Sequence, residues 1–255
     1  MYIADWGNHR IVEWKCNEKN GQIMARGNGQ GNQLNCPTDT IIDKQNDSLI
    51  ICDLENRRVM RWSCEYNRSG QVIISDIDCR GLTVDNNGYL YVSFREKNQE
   101  RRWRIGDTRG TIVAGGNGEG DHLYPLNSPT SIFVDEDYSI YVSDCKNHRV
   151  MKWVKGAQEG VAVAGGQGKG NSLTQLNYPQ GVIFDQIYVA DWGNDRVMRW
   201  SKGAKEGAII VGGNGKGEQS NQLNSPKGLS FDGEGNLYVG DQWNHRIQKF
   251  KIAER

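Results

Sequence analysis

One phrase keeps returning. Residues 188–200 read YVADWGNDRVMRW, residues 2–14 read YIADWGNHRIVEW, and residues 238–250 read YVGDQWNHRIQKF. An Asp anchors each copy, at Asp5, Asp53, Asp144, Asp191 and Asp241, and a sixth copy carries Phe94 in its place. Nine residues past every anchor stands a large aromatic: Trp14, Trp62, Trp103, Trp153, Trp200 and Phe250. By subtraction of positions, the anchors recur every 41 to 50 residues. A unit of that size cannot bury both of its faces alone. Six of them in tandem must stack.

Inside a unit the apolar residues alternate in short runs. From residue 129 the chain reads PTSIFVD, YSIYVSD, RVMKWV and GVAVAGG, divided by polar or Gly-containing turns. No window sustains ten residues of helical apolar spacing, so helix is expected to be close to nil. Four short antiparallel strands per unit predict a β-propeller blade. The expected fold is therefore all-β, a six-bladed β-propeller of four-stranded antiparallel blades. The first unit starts at a second strand (Tyr2) and the last stops after a third (Phe250–Ile252). Those two blades are expected to lack the innermost and outermost strand respectively, with the ring closed by juxtaposing them. Residues 1–255 are expected to form a single domain from a longer protein.

The phrase YVADWGNDRVMRW, preceded by LNYPQGVIFD, resembles the NHL repeat, and NHR itself stands at 8–10, 147–149 and 244–246. The resemblance covers essentially the whole chain and implies a propeller, most often six-bladed. It implies no activity, since fold and function are separable. Among similar proteins are zinc-dependent lyases acting on peptidyl hydroxyglycine and propellers that bind RNA. The third copy, YVSFREKNQERRW, departs from the pattern by lacking its Asp, Asn and Arg.

The repeated polar residues have structural work to do. Each anchor and the Arg five residues on bracket a short loop: Asp5 and Arg10, Asp53 and Arg58, Asp144 and Arg149, Asp191 and Arg196, Asp241 and Arg246. Facing each other in a hairpin, they are expected to clamp its turn. The Asn between them (Asn8, Asn56, Asn147, Asn194, Asn244) is expected to take positive φ. His9, His148 and His245 share one offset in different blades, too far apart to share a zinc, and His122 falls in a crossover loop. The glycine phrases at 115–120, 165–170 and 212–217 precede no helix, so they read as crossovers rather than phosphate cradles. No metal site, cofactor or catalytic constellation is expected. Cys16 with Cys36 and Cys64 with Cys79 occupy matching offsets that hint at two bridges, though strand topology opposes them. Cys52 and Cys145 have no evident partner. Neither the redox compartment nor the localisation is legible.

Lys plus Arg (31) balances Asp plus Glu (31), so no global pull toward nucleic acid or anionic membrane is implied. Arg101, Arg102, Arg104 and Arg109 could touch RNA, but Glu96 and Glu100 interleave them and favour a solvated face. No apolar run is long enough to span a membrane. What differs between repeats is the loop after the anchor, where Trp6, Trp192 and Trp243 sit at tips that are normally polar. These residues, flanked by Arg95, Glu96 and Lys97, are the expected contacts for a protein, peptide or glycan. Each indole could instead fold over its own or a neighbouring blade. The expected function is a non-catalytic binding scaffold. The alternatives are a propeller-type metal-dependent lyase or hydrolase, of the peptidyl-hydroxyglycine lyase kind, or an RNA-binding NHL domain.

Overall fold

The computed structural model describes every residue except 16–17, 28–32, 65–69, 117–124, 184–185 and 253–255. The protein is an all-β six-bladed propeller, and it divides into two compact units, Met1–Val113 and Ala114–Arg255. In the first unit, blade one comprises β1 (Tyr2–Asp5), β2 (Arg10–Glu13) and β3 (Gln22–Arg26). Blade two comprises β4 (Pro37–Asp43), β5 (Ser48–Asp53), β6 (Arg58–Ser63) and β7 (Gly70–Ser75). Blade three comprises β8 (Cys79–Val84), β9 (Leu90–Phe94), β10 (Gln99–Trp103) and β11 (Thr111–Gly115), whose end crosses the boundary.

In the second unit, blade four comprises β12 (Pro129–Val134), β13 (Ile140–Asp144), β14 (Arg149–Trp153) and β15 (Val161–Gly165). Blade five comprises β16 (Pro179–Ile183), β17 (Ile187–Asp191), β18 (Arg196–Trp200) and β19 (Ala208–Gly212). Blade six comprises β20 (Pro226–Phe231), β21 (Asn236–Asp241) and β22 (Arg246–Lys251). All strand pairs within these blades are antiparallel. The first blade has three strands because β1 aligns with the second strands of the others, and the last ends at its third.

Within each unit the core lies between successive blades, where their facing sheets pack together. Val150 packs with Leu176, Val182 and Val189 of the blade that follows, and Val197 packs likewise with Leu223, Leu237 and Val239. In the first unit Ile11 meets Leu34, Leu49 and Ile51 in the same way. The aromatics nine past the anchors are buried at Trp103, Trp153 and Trp200. The start of the outer strand runs flat across these indoles. A methyl placed on Gly160 would come within 2.6 Å of Trp153, and on Gly207 within 2.7 Å of Trp200. Trp14, in the first blade, is 39% exposed instead.

The inner strands carry a register slip just after their first residue, as between Pro179 and Val182. The slip turns the third residue toward the next blade. Asp39 Oδ2 accepts the Leu82 N–H at 2.9 Å, and Ser131 Oγ accepts the Val182 N–H at 3.3 Å.

The matching cysteine offsets mislead. Cys79 is bonded to Cys52, with Cα atoms 5.4 Å apart, so a Cys64–Cys79 bridge does not form. The disulfide staples β5 of blade two to β8 of blade three. Equivalent positions do not face each other across a blade interface; a second strand faces the next inner strand, and that is where the bridge lies. Cys16 falls outside the described residues, and Cys36 keeps a free thiol.

Candidate functional site

The hairpins between second and third strands end in a single 3₁₀ turn, and the connectors from the previous blade arrive beside them on the same side. In blades two, four, five and six the anchor carboxylate joins the two. Asp191 Oδ2 accepts from Arg196 Nε at 2.7 Å and from Asn194 Nδ2 at 2.8 Å, while Oδ1 accepts the backbone N–H of Asn177 at 2.7 Å. Asp53, Asp144 and Asp241 repeat this with Arg58, Arg149 and Arg246 and with the N–H groups of Asn35, Asn127 and Asn224. Asp5 holds Arg10 at 2.6 Å, in a more exposed pair.

The guanidinium groups continue into the connector: Arg196 donates to the carbonyls of Asn171, Ser172 and Gln175. The carboxylates of Asp53, Asp144, Asp191 and Asp241 are fully buried. At Asp144 and Asp191 burial pushes the carboxyl pKa up, opposed by these same donors.

The expected positive φ does not fall on the Asn. It falls one residue later, at His9 (52°), Arg57 (51°), Asn98 (50°), His148 (53°), Asp195 (52°) and His245 (50°). The Asn lies inside the 3₁₀ turn with its amide aimed at the anchor, and the left-handed residue is what ends that turn.

This left-handed residue has a second task, acting on the next blade. His9 Nδ1 accepts the Cys36 N–H at 3.0 Å, His148 Nδ1 the Tyr178 N–H at 3.1 Å, and Asp195 Oδ1 the Ser225 N–H at 2.7 Å. The three donors precede Pro37, Pro179 and Pro226 and themselves have positive φ, at 53°, 51° and 57°. That conformation is costly for a side chain as bulky as Tyr178. His9 and His148 are therefore joints between blades. Burial, helped by Lys169, lowers the pKa of His148 and keeps its ring neutral.

The proposed contact residues divide between the units. In the second unit His148, Tyr178 and Trp192 stack edge to face, with centroids 4.6 Å and then 6.5 Å apart. Trp192 Nε1 donates to Gln242 Oε1 at 3.2 Å, and the neighbouring Trp243 is 54% exposed. Lys169 Nζ lies 4.9 Å from the Tyr178 ring centre. Trp192 thus leans on its neighbours, half-buried, while Trp243 stands free. In the first unit Trp6 is 45% exposed and Arg95 half-buried. Glu96 is held by a bidentate ion pair to Arg57, which lowers its pKa. Of Arg101, Arg102, Arg104 and Arg109, Arg101 stacks over Phe94 and Arg102 over Tyr89.

Two features were missed in the sequence although their signals were present. The connectors end in Leu-Asn-x-Pro, at 34–37, 126–129, 176–179 and 223–226. A second clamp also braces the opposite hairpin: Asp85, Asp135 and Asp232 each accept the hydroxyl of a Tyr six residues on (Tyr91, Tyr141, Tyr238). His122 and most of the glycine phrase at 115–120 lie outside the described residues. The other two glycine phrases run from the ends of β15 and β19 into connectors.

This architecture defines a repeat propeller in whose blades the tips and the connectors lie side by side. The sequence model of the NHL repeat matches residues 223–250, so the chain carries an NHL repeat and is a six-bladed propeller. No curated protein matches the sequence. Among solved structures, an auxiliary nutrient binding protein from Bacteroides thetaiotaomicron VPI-5482 superposes with a TM-score of 0.77 at 17% identity, over 99% of this chain and 66% of its own. The chain thus spans just under two thirds of that protein's length. A nidogen/laminin complex chain gives 0.73 at 15% identity, over 96% and 87%. A gluconolactonase from Xanthomonas campestris gives 0.65 at 17%, over 87% and 77%. At such identities the likeness is one of fold.

Proposed function

We propose that this propeller is a non-catalytic binding module that takes a protein, peptide or glycan on its loop face. In the first unit Trp6 and Arg95 are the proposed contacts, and in the second Trp243 and the aromatic platform of Trp192 on Tyr178. The observation that carries this reading is one of elimination at the tips. The anchor Asp, Asn and Arg are saturated by internal bonds, yet two tryptophans stay about half exposed where a turn has no structural use for them.

The fold neighbours support a binding role by including a nutrient-binding protein and a nidogen/laminin complex; the gluconolactonase marks the same architecture as open to catalysis. A metal-dependent enzyme needs converging ligands, and among the described residues no group of three His, Cys, Asp or Glu stands close enough to hold an ion. An RNA-binding reading has less to rest on, because Arg101 and Arg102 are stacked within their own blade. The test is a glycan and peptide array probed with the intact chain and with Trp243→Ala. Ligands that bind both equally, or a turnover activity abolished by chelator, would refute the reading.

A further inference from the structure

Two connectors of the second unit, from blade four to five and from blade five to six, are built alike. In each, the lysine of the glycine phrase forms a parallel β-bridge with the connector leucine, Lys169 with Leu176 and Lys216 with Leu223. A tip amide braces each again: Asn194 Nδ2 donates to the Gly170 carbonyl and Asn244 Nδ2 to the Gly217 carbonyl, both at 2.8 Å. The two lysines are thus held on equivalent backbone. Their surroundings differ. Lys169 Nζ lies over the Tyr178 ring, which His148 and Trp192 flank edge to face. At the matching positions beside Lys216 stand Ser225, Asp195 and Gln242, with no ring among them.

The Lys169 corner carries a positive charge that nothing answers. The ion pairs of this unit engage Arg149, Lys152, Arg196, Arg246 and Lys249; among the described residues none engages Lys169, which is exposed. His148 spends Nδ1 as acceptor of the Tyr178 N–H, so in its neutral ring the proton sits on Nε2, a second donor. The tips beside the rings, Trp192–Asn194 and Gln242–Asn244, contain amides and indoles but no aliphatic side chain. A peptide finds no aliphatic pocket at these tips for an apolar anchor. A ring of hydroxyls bearing one carboxylate matches every group present. We infer that the corner made by Lys169, His148, Tyr178 and Trp192 takes a uronic acid residue of an anionic glycan. This rests on the binding reading above and names its ligand class. The carboxylate pairs with Lys169 Nζ, a hydroxyl accepts from His148 Nε2, and the C–H face of the sugar lies on the aromatic platform. The Lys216 corner has no platform, and the Asp195 carboxylate stands there in the place of the imidazole.

The test titrates the intact chain into end-labelled short oligosaccharides of glucuronic and of galacturonic acid, each beside its carboxyl-reduced neutral counterpart, and reads fluorescence anisotropy. Saturable binding of a uronate form is expected, weakened at least tenfold by carboxyl reduction and by Lys169→Gln. Lys169→Arg keeps the charge and should retain binding. Lys216→Gln removes the same charge from the matching connector and should leave affinity unchanged. Both lysines are exposed, so all three variants should keep the parent melting temperature. Equal binding of the reduced sugars, equal losses for Lys169→Gln and Lys216→Gln, or no binding of either uronate would each overturn the inference. If a neutral glycan or a peptide from the array binds through Trp243 instead, the binding reading stands and this inference alone falls. An array that yields no ligand removes both.

Discussion

His148 of blade four holds the chain at the start of blade five: its Nδ1 accepts the Tyr178 N–H at 3.1 Å, across the edge of the Tyr178 ring. The bond requires an unprotonated Nδ1, and burial with Lys169 nearby lowers the imidazole pKa below its ordinary 6.5. Between the lowered native value and the unfolded one, the unfolded chain binds more protons, so stability rises with pH there. It is fully present above about pH 6.5 and is lost as the pH falls toward the native value. Urea midpoints at pH 7.5 and 5.5 should therefore differ, and His148→Asn should shrink that difference.

The clamps should differ in worth by burial. Asp191→Ala leaves the Arg196 guanidinium and the Asn177 N–H without their buried acceptor, and should cost about 3–5 kcal/mol. Asp5→Ala breaks the same pair where both side chains are about a third exposed, and should cost about 1 kcal/mol or less. Chemical denaturation of the two variants measures both.

Glycines in different surroundings should separate in the same way. Gly207→Ala forces a methyl into the Trp200 indole and should destabilise by about 1–3 kcal/mol. Gly7→Ala meets nothing within 4 Å and should stay within about 0.5 kcal/mol of the parent. Thermal melts suffice to tell them apart.

Reducing the Cys52–Cys79 bridge, or replacing both cysteines by Ala, should cost about 2–4 kcal/mol. The melting temperature with and without reductant reads this directly, and the double variant should not respond to reductant.

At the tips, Trp6→Ala and Trp243→Ala should leave the melting temperature within a few degrees. Trp192→Ala also removes the packing on Tyr178 and the bond to Gln242, so it should lower stability as well as partner affinity. An affinity loss of at least tenfold at Trp243, against any array-identified partner, is the expected signature.

Much of this was legible from offsets alone. The anchor and the aromatic nine residues on fixed the period, and the period implied blades with two incomplete ends, because side-chain alternation in a strand is unambiguous when both faces are buried. Bonds made between repeats were harder to read. The pairing of Cys52 with Cys79 and the reach of His148 to Tyr178 join different offsets in neighbouring blades, and a pattern that aligns like with like hides them. The shift of positive φ from Asn194 to Asp195 depended on whether the loop closes as a 3₁₀ turn, which the residue types at Trp192–Asn194 do not decide.

In blade three the connector shrinks to residues 76–78 and carries no Leu-Asn-x-Pro, and there the anchor, its Asn and its Arg have all gone. The two losses remove the two sides of one contact. An anchor Asp elsewhere answers to the connector that arrives with its own blade, so a mutation on either side is punished by the other. At Phe94–Gln99 a backbone bond, from Arg95 N–H to Asp78 O, still joins hairpin to connector. Without the anchor clamp, this hairpin answers instead to the hairpin before it, through the ion pair of Glu96 with Arg57.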